Sequence, residues 1–192
     1  MANVSEKFGL RPYRKLDGTP LAAAQKRYPI ASGFATAIFH GDLVEPLGTG
    51  NIQKHGANTS DAVVGVFNGC FYTDPTTQKP TFSNHYPGGI AASDITAFVI
   101  DDPDAVFLID ADEAFTRADL YKNYSVTNTT GVTQTGISKA QLDVSASGTA
   151  QTFVIQAIDI SQDPDNSDTT VSNANVLVRI NNHFYRSGTG IS

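Results

Sequence analysis

Short apolar runs rich in β-branched and aromatic residues recur along the chain from residue 34 onward, and polar turn sequences separate them. In the run VLVRI, Val176, Val178 and Ile180 share one face of an extended chain. This alternation is typical of half-buried strands rather than helices. The pattern predicts strands at 34–39, 62–72, 95–100, 105–109, 152–160 and 175–185.

The longest of these runs, AVVGVFNGCFY, contains two glycines. Glycine inside a strand often marks a bulge, so a kink is predicted near Gly65 or Gly69. The following TDPTTQKP has the composition of a hairpin loop. This run is therefore predicted to be a bent strand that turns back on itself.

Two segments carry helix-start signals. TRADLYKN begins with Thr116 and has Asp119 three residues later, and SKAQLD begins with Ser138 and has Gln141 at the same spacing. Both are predicted to be short helices. The fold class predicted from the whole pattern is all-β, an antiparallel β-barrel or sandwich with one or two short helices and an extended N-terminal arm.

The first 30 residues show no strand periodicity. LAAAQKRY, which follows Pro20, is predicted to form about two helical turns. The N-terminus has no apolar core of a signal peptide, and no apolar run reaches the roughly 20 residues that span a bilayer. The predicted organisation is an extended arm at 1–30 and a single β-rich domain at 31–192.

Charge is distributed unevenly around a net value of −6. Residues 1–30 hold six basic and two acidic residues, a net charge of +4, which leaves −10 on the rest of the chain. The basic segment is predicted to meet an acidic surface, on this protein or on another; the alternative is a solvated basic tail. The overall negative charge argues against a general nucleic-acid binder.

Clusters of carboxylates are the most conspicuous candidate chemistry. DDPD at 101–104 lies between two apolar runs, and it is predicted to be a tight turn that joins 95–100 and 105–109 as a hairpin. The alternating oxygens of DADE (110–113) and DPDNSD (163–168) leave calcium as an alternative, although neither has the glycine and distant glutamate of an EF-hand loop. Paired carboxylates for glycoside hydrolysis are a third reading, weakened by the absence of tryptophan.

No catalytic signature stands out elsewhere. The four histidines form neither HxH nor HExxH, and the chain has no GxSxG and no P-loop. The single cysteine, Cys70, excludes an intrachain disulfide and a multi-cysteine zinc site, and it is predicted to be a small buried hydrophobe. Aromatic residues beside turns, in CFYTD, FSNHYPGG and NHFYRSG, either anchor an interface or close the end of a barrel.

Several stretches, taken in order, resemble the capsid decoration (head cement) proteins of tailed bacteriophages. They are MANVSEKFGLRPYRKLDG, RYPIASGFATAIFHGDLVEPLG, VVGVFNGCFYTD, FSNHYPGG, AFVIDDPDAVFLIDAD, GISKAQLD and VLVRINNHFY. The resemblance spans nearly the whole chain and contains no catalytic motif. It implies a β-rich, homo-oligomeric virion structural protein that binds the outside of the capsid, with no enzymatic activity, cofactor or metal.

The partners expected from this reading are the major capsid protein and copies of the chain itself, without nucleic acid or membrane. The expected location is the capsid surface of the virion, after assembly in the host cytoplasm; the lone cysteine suits that reducing compartment. The alternative functions are a host-glycan-binding adhesion module and a hydrolase. The predicted contact residues are Phe8, Leu10, Tyr13 and Leu16 for burial and Arg11, Arg14, Lys15, Lys26 and Arg27 for charge.

Overall fold

The computed structural model describes residues 3, 6–22, 25–56, 60–168, 170–187 and 190–191. Within them, the chain forms β-strands in two antiparallel sheets, together with one 3-10 turn and one short α-helix. The predicted all-β antiparallel sandwich is therefore confirmed. No helix in these ranges is long and apolar enough to cross a membrane.

The described residues contain twelve strands. Their bounds are β1 Arg11–Lys15, β2 Gln25–Pro29, β3 Leu43–Pro46, β4 Ile52–Lys54, β5 Gly65–Thr73, β6 Pro80–Ser83, β7 Thr96–Ile100, β8 Ala105–Asp110, β9 Asn123–Val126, β10 Leu142–Gly148, β11 Ile155–Ile160 and β12 Asn175–Ile180. The 3-10 turn is Arg117–Asp119, and the helix α1 is Phe184–Ser187.

Sheet one has the order β1-β8-β12-β11-β9-β10, and sheet two has the order β2-β7-β5-β3-β4 with β6 paired to β5. Alternate residues of β8, among them Phe107 and Ile109, join Val66 and Ile100 of sheet two in one buried cluster. This cluster is the interface of the two sheets. Burial of these apolar side chains supplies most of the free energy that holds the sheets together.

Each sheet has a second apolar layer on its far face. Behind sheet two, Phe67, Ala97 and Val99 pack against residues from the connecting segments, including Ile38 and Tyr86. Behind sheet one, a smaller cluster joins Phe8, Val106, Leu108 and Leu177. Since β8 is covered on both faces, all six of its residues are buried.

The predicted kink of the long strand is present in β5. Its pairing with β7 shifts register between Phe67 and Cys70, and Gly69 has a φ of 127°, a conformation that favours glycine. Because Cys70 and Phe71 then pair with Ser83 and Phe82, the TDPTTQKP loop closes a hairpin between β5 and β6 as predicted.

Two segments of the first 30 residues, Arg11–Lys15 and Gln25–Pro29, are strands of the sheets. β1 pairs with β8 and β2 pairs with β7, so each is an edge strand. The helix predicted for LAAAQKRY is wrong over Gln25–Tyr28, because the ladder with β7 supplies the backbone hydrogen bonds of that stretch. Residues 1–2, 4–5 and 23–24 of the predicted arm lie outside the described residues.

Three further predictions are wrong. Residues 34–39 form only an isolated bridge between Ile38 and Tyr86, since no strand lies alongside them. SKAQLD is not a helix, because Leu142 begins β10. The predicted strand 175–185 ends at Ile180, and α1 begins at Phe184.

Local hydrogen bonds accompany the two short helical turns that do form, at 117–119 and 184–187. The backbone N–H and the hydroxyl of Thr116 both donate to Asp119, which fits the predicted signal but extends over one 3-10 turn only. At α1, Nδ1 of His183 accepts the Tyr185 amide at 3.2 Å, the role of a helix-capping side chain.

Candidate functional site

The DDPD segment connects the two sheets. β7 belongs to sheet two and β8 to sheet one, so the predicted hairpin between them is wrong. The turn itself is present: the amide of Asp104 donates to the Asp102 carboxylate at 2.9 Å, and the amide of Ala105 donates to the Asp102 carbonyl at 3.0 Å. The acids therefore form the turn at which the chain passes from one sheet to the other.

The basic residues of β1 and β2 meet this acidic connection. Nζ of Lys15 lies 2.7 Å from Asp102, and Nζ of Lys26 lies 3.0 Å from Asp101. The hydroxyl of Tyr28 donates to Asp101 at 2.6 Å. Lys15 and Lys26 of the basic segment thus contact an acidic surface of their own chain, which is one of the two predicted possibilities.

The helix α1 closes the same junction from the other end of the chain. Arg186 forms an ion pair with Asp104, and the hydroxyls of Tyr28 and Tyr185 are 2.6 Å apart. Lys26 also lies over the Tyr185 ring, 5.0 Å from its centroid. Residues of β1, β2 and α1 therefore all contact the connection between the sheets or one another there.

The nine predicted contact residues separate into three groups. Phe8 and Leu10 are buried in the clusters of their own chain, and so they are unavailable for burial against a partner. Lys15 and Lys26 are engaged with the inter-sheet carboxylates. The remaining five are at least partly exposed: Arg11, Tyr13, Arg14, Leu16 and Arg27.

Residues of the two other acidic clusters make hydrogen bonds within the chain. Asp110 accepts from Gln141 at 2.9 Å, and Asp112 accepts the Val144 amide at 3.0 Å. In the later cluster, the amide group of Asn166 spans two backbone carbonyls, those of Ser161 and Asn175. Among the described residues, no three His, Cys, Asp or Glu side chains come together as metal ligands.

An open groove of about 470 Å³ lies between β3, β4 and the C-terminal residues, lined by Glu45, Gln53, Asp61 and Phe184 among others. Its most buried acid, Glu45, already accepts from His55 at 2.5 Å and from Gln53 at 2.6 Å. Burial opposes ionisation of Glu45, but these hydrogen bonds outweigh it and lower the pKa of the carboxyl. A carboxylate committed to two partners is a poor proton donor or nucleophile.

An uncovered row of aromatic side chains lies on sheet two. Phe71 and Phe82 have ring centroids 4.8 Å apart, and Phe82 lies 6.4 Å from Phe98. The guanidinium of Arg27 sits 5.9 Å from the Phe98 centroid. The three phenylalanines are called the aromatic stripe below; Phe82, with 74% of its surface exposed, is the most exposed large apolar side chain among the described residues.

Sequence reasoning found this stripe only in part. Phe71 and Phe82 stand beside turns in the sequence, whereas Phe98 is in the middle of an apolar run. The signal for Phe98 was the alternation itself: Ala97 and Val99 are fully buried, and the residue between them must point the other way. Cys70, in contrast, is buried as predicted, and burial raises the pKa of its thiol to about 12.

No protein-family model matches this sequence, and comparison of the chain with curated proteins and with solved structures finds no match.

Proposed function

We propose that this protein is a non-enzymatic virion structural protein that binds the outer surface of a bacteriophage capsid and stabilises it as a decoration or cement protein. The partner is the major capsid protein, and the complex forms in the host cytoplasm. The observation that carries the proposal is the edge of the sandwich at β1, where cations and apolar side chains are exposed on an otherwise acidic protein. The resemblance in sequence supports the same role.

The β1 edge has the composition of a protein contact. Among the described residues, no carboxylate forms an ion pair with Arg11 or Arg14. Tyr13 and Leu16 beside them are 53% and 38% exposed. Arginine and tyrosine are enriched at protein interfaces, where they combine charge or hydrogen bonding with a large apolar surface.

The partner surface for this edge must be acidic with apolar patches. Each exposed ion pair contributes only about 0.2–1 kcal/mol, so a single copy binds weakly through charge. A capsid lattice offers many equivalent positions. If copies also contact one another, weak contacts add into stable attachment, because neighbouring sites are occupied together.

The test is co-sedimentation of the purified protein with capsids that lack it, at low and at moderate salt. The double variant Arg11→Glu, Arg14→Glu is expected to bind much less than the wild type. Arg117→Glu, Lys139→Glu makes the same charge change away from β1 and is expected to bind like the wild type. Circular dichroism confirms that both variants keep their strand content.

Three results would count against the proposal. Equal capsid binding by both double variants would show that β1 is not part of the contact. Failure of the wild type to bind any capsid would reject the decoration role. Binding of the wild type to host glycans instead of capsids would favour the adhesion module.

A further inference from the structure

The aromatic stripe is the uncovered end of a face that elsewhere forms the core. Along β7, Phe98 is two residues from Ile100, and side chains two apart point to the same side of a sheet. Ile100 and its cross-strand partner Val66 are buried against sheet one. Phe71, Phe82 and Phe98 continue this face beyond the region that sheet one covers.

The other side of these strands is not open. Ala97, Val99 and Cys70 are buried there under the connecting segments. At the stripe, large apolar side chains of β5, β6 and β7 reach solvent: Phe82 on β6 is 74% exposed, and Phe71 on β5 and Phe98 on β7 are partly exposed. Contiguous aromatic surface of this kind marks a binding face more often than a single exposed side chain does.

We infer that the aromatic stripe is the docking face for a second copy of this chain. Its rim carries both signs of charge: Arg27 on β2, for which no described carboxylate is an ion-pair partner, and Asp94 just before β7. Hydrogen bonds from the hydroxyl and amide of Thr73 hold Asp94 in place. A surface with an apolar centre and opposite charges at its rim is complementary to itself, as a two-fold interface requires.

The geometry of the rings favours a protein partner over a sugar. The planes of Phe71 and Phe82 are inclined by 52°, whereas those of Phe82 and Phe98 differ by only 12°, so the three rings together do not form one flat platform. Corrugated rings interlock with the rings of another sheet, in the manner of two packed sheet faces.

The size of the stripe predicts a weak dimer. A phenylalanine buries roughly 150–250 Å² when fully covered, and two of the three rings are already partly covered. Two stripes together therefore bury less than the roughly 1,200–2,000 Å² of a standard interface unless the rim contributes. Association is expected to depend on concentration.

The experiment is sedimentation velocity of the full chain over a range of protein concentrations. The wild type is expected to shift from monomer to dimer. Phe82→Ser is expected to weaken the association by at least about tenfold. Tyr121→Ser is the matched control, because Tyr121 is a large aromatic residue with 72% exposure outside the stripe, and its dimer is expected to be unchanged.

A charge exchange tests the rim separately. Arg27→Glu alone and Asp94→Lys alone are each expected to weaken the dimer, and the double variant is expected to regain association because every copy then carries the reversed pair.

A wild type that stays monomeric at all concentrations would overturn the inference. So would a Phe82→Ser variant that dimerises like the wild type, or a stripe that binds glycan in a monomeric protein. None of these results depends on capsid binding, so the inference stands or falls independently of the proposed function.

Discussion

Nζ of Lys54 lies 2.9 Å from the Asp42 carboxylate, and the two side chains are only 10% and 1% exposed. Asp42 also accepts the amide of Phe39 at 2.9 Å and the hydroxyl of Ser138 at 2.5 Å. One buried carboxylate therefore ties β4 to the segments at 39 and 138, which lie far apart in the sequence. A buried carboxylate of this kind destabilises the folded protein if any of its partners is removed.

Removing the acid of this pair is expected to be strongly destabilising. Asp42→Ala leaves the Lys54 ammonium buried without a counter-charge, and the expected loss is about 3–5 kcal/mol of unfolding free energy. Asp119→Ala is the comparison, because its pair with Lys122 is more exposed and should cost much less. Urea denaturation of both variants measures the difference; equal losses would show that the Asp42 pair contributes no more than a surface one.

Two leucines of the N-terminal segment should lose very different amounts of stability on the same substitution. Leu10 is fully buried in the core, whereas Leu16 is 38% exposed. Leu10→Ala is expected to cost about 2–5 kcal/mol, because it leaves a cavity, and Leu16→Ala less than about 1 kcal/mol. Thermal unfolding of the two variants measures the difference. A small effect of Leu10→Ala would indicate that the segment only lies on the core and is not part of it.

Asp110 should make the stability depend on pH between about 4 and 6. Burial raises the pKa of its carboxyl to about 6, above its value in the unfolded chain. The folded protein therefore binds a proton more readily, and this contribution to stability is present below pH 4 and is lost as the pH rises through about 6. Asp110→Asn should flatten the melting temperature over this interval, and an unchanged pH profile would contradict the assignment.

His183 should act in the opposite direction. The imidazole is fully buried, and burial lowers its pKa below the ordinary value near 6.5. The unfolded chain then binds the proton more readily, so stability is present above pH 6.5 and is lost as the pH falls through the folded-state pKa. Asp101, Asp102 and Arg186 are the charges that act on this ring.

The variant His183→Asn retains an acceptor for the Tyr185 amide but does not titrate. It should therefore lose the decline in melting temperature on the acid side while keeping α1 in place. If the variant and the wild type decline alike below pH 6.5, another group is responsible for the acid sensitivity.

Gly65 should tolerate no side chain. A Cβ at this position would lie 2.2 Å from the backbone oxygen of Ile100, and a paired strand cannot move aside as a side chain can. Gly65→Ala is expected to cost at least about 1–3 kcal/mol. Gly190→Ala, where a Cβ would meet no atom within 4 Å, is the neutral control. Similar melting temperatures for the two variants would mean that β5 and β7 separate easily.

The central strands were predictable because their own residues define them. β5, β7, β8, β11 and β12 consist largely of β-branched, aromatic and other apolar residues, and burial on at least one face enforces an extended chain. β2 was not predictable in this way: QKRYP has no apolar alternation, and its strand conformation comes from pairing with β7.

The wrong predictions have a common cause: residues whose local sequence predicts one structure make their contacts with residues far away in the chain. Ser138 begins a good capping sequence and its hydroxyl oxygen accepts the Ala140 amide at 3.0 Å, but the same hydroxyl donates to Asp42 and the chain continues into β10 instead of a helix. DDPD is good turn chemistry, but no local feature indicates that the strands on either side enter different sheets. For the same reason the charges of the first 30 residues were identified correctly, whereas the internal partners of Lys15 and Lys26 could not be.

The pairing of β1 with β8 has a consequence for synthesis. Arg11 lies opposite Leu108, roughly a hundred residues later in the chain, and β2 likewise needs β7. During translation both N-terminal strands leave the ribosome long before their partners exist, with Phe8 and Leu10 exposed. Folding must therefore await the second half of the chain, and the waiting segment is the part of the nascent protein most in need of protection from aggregation.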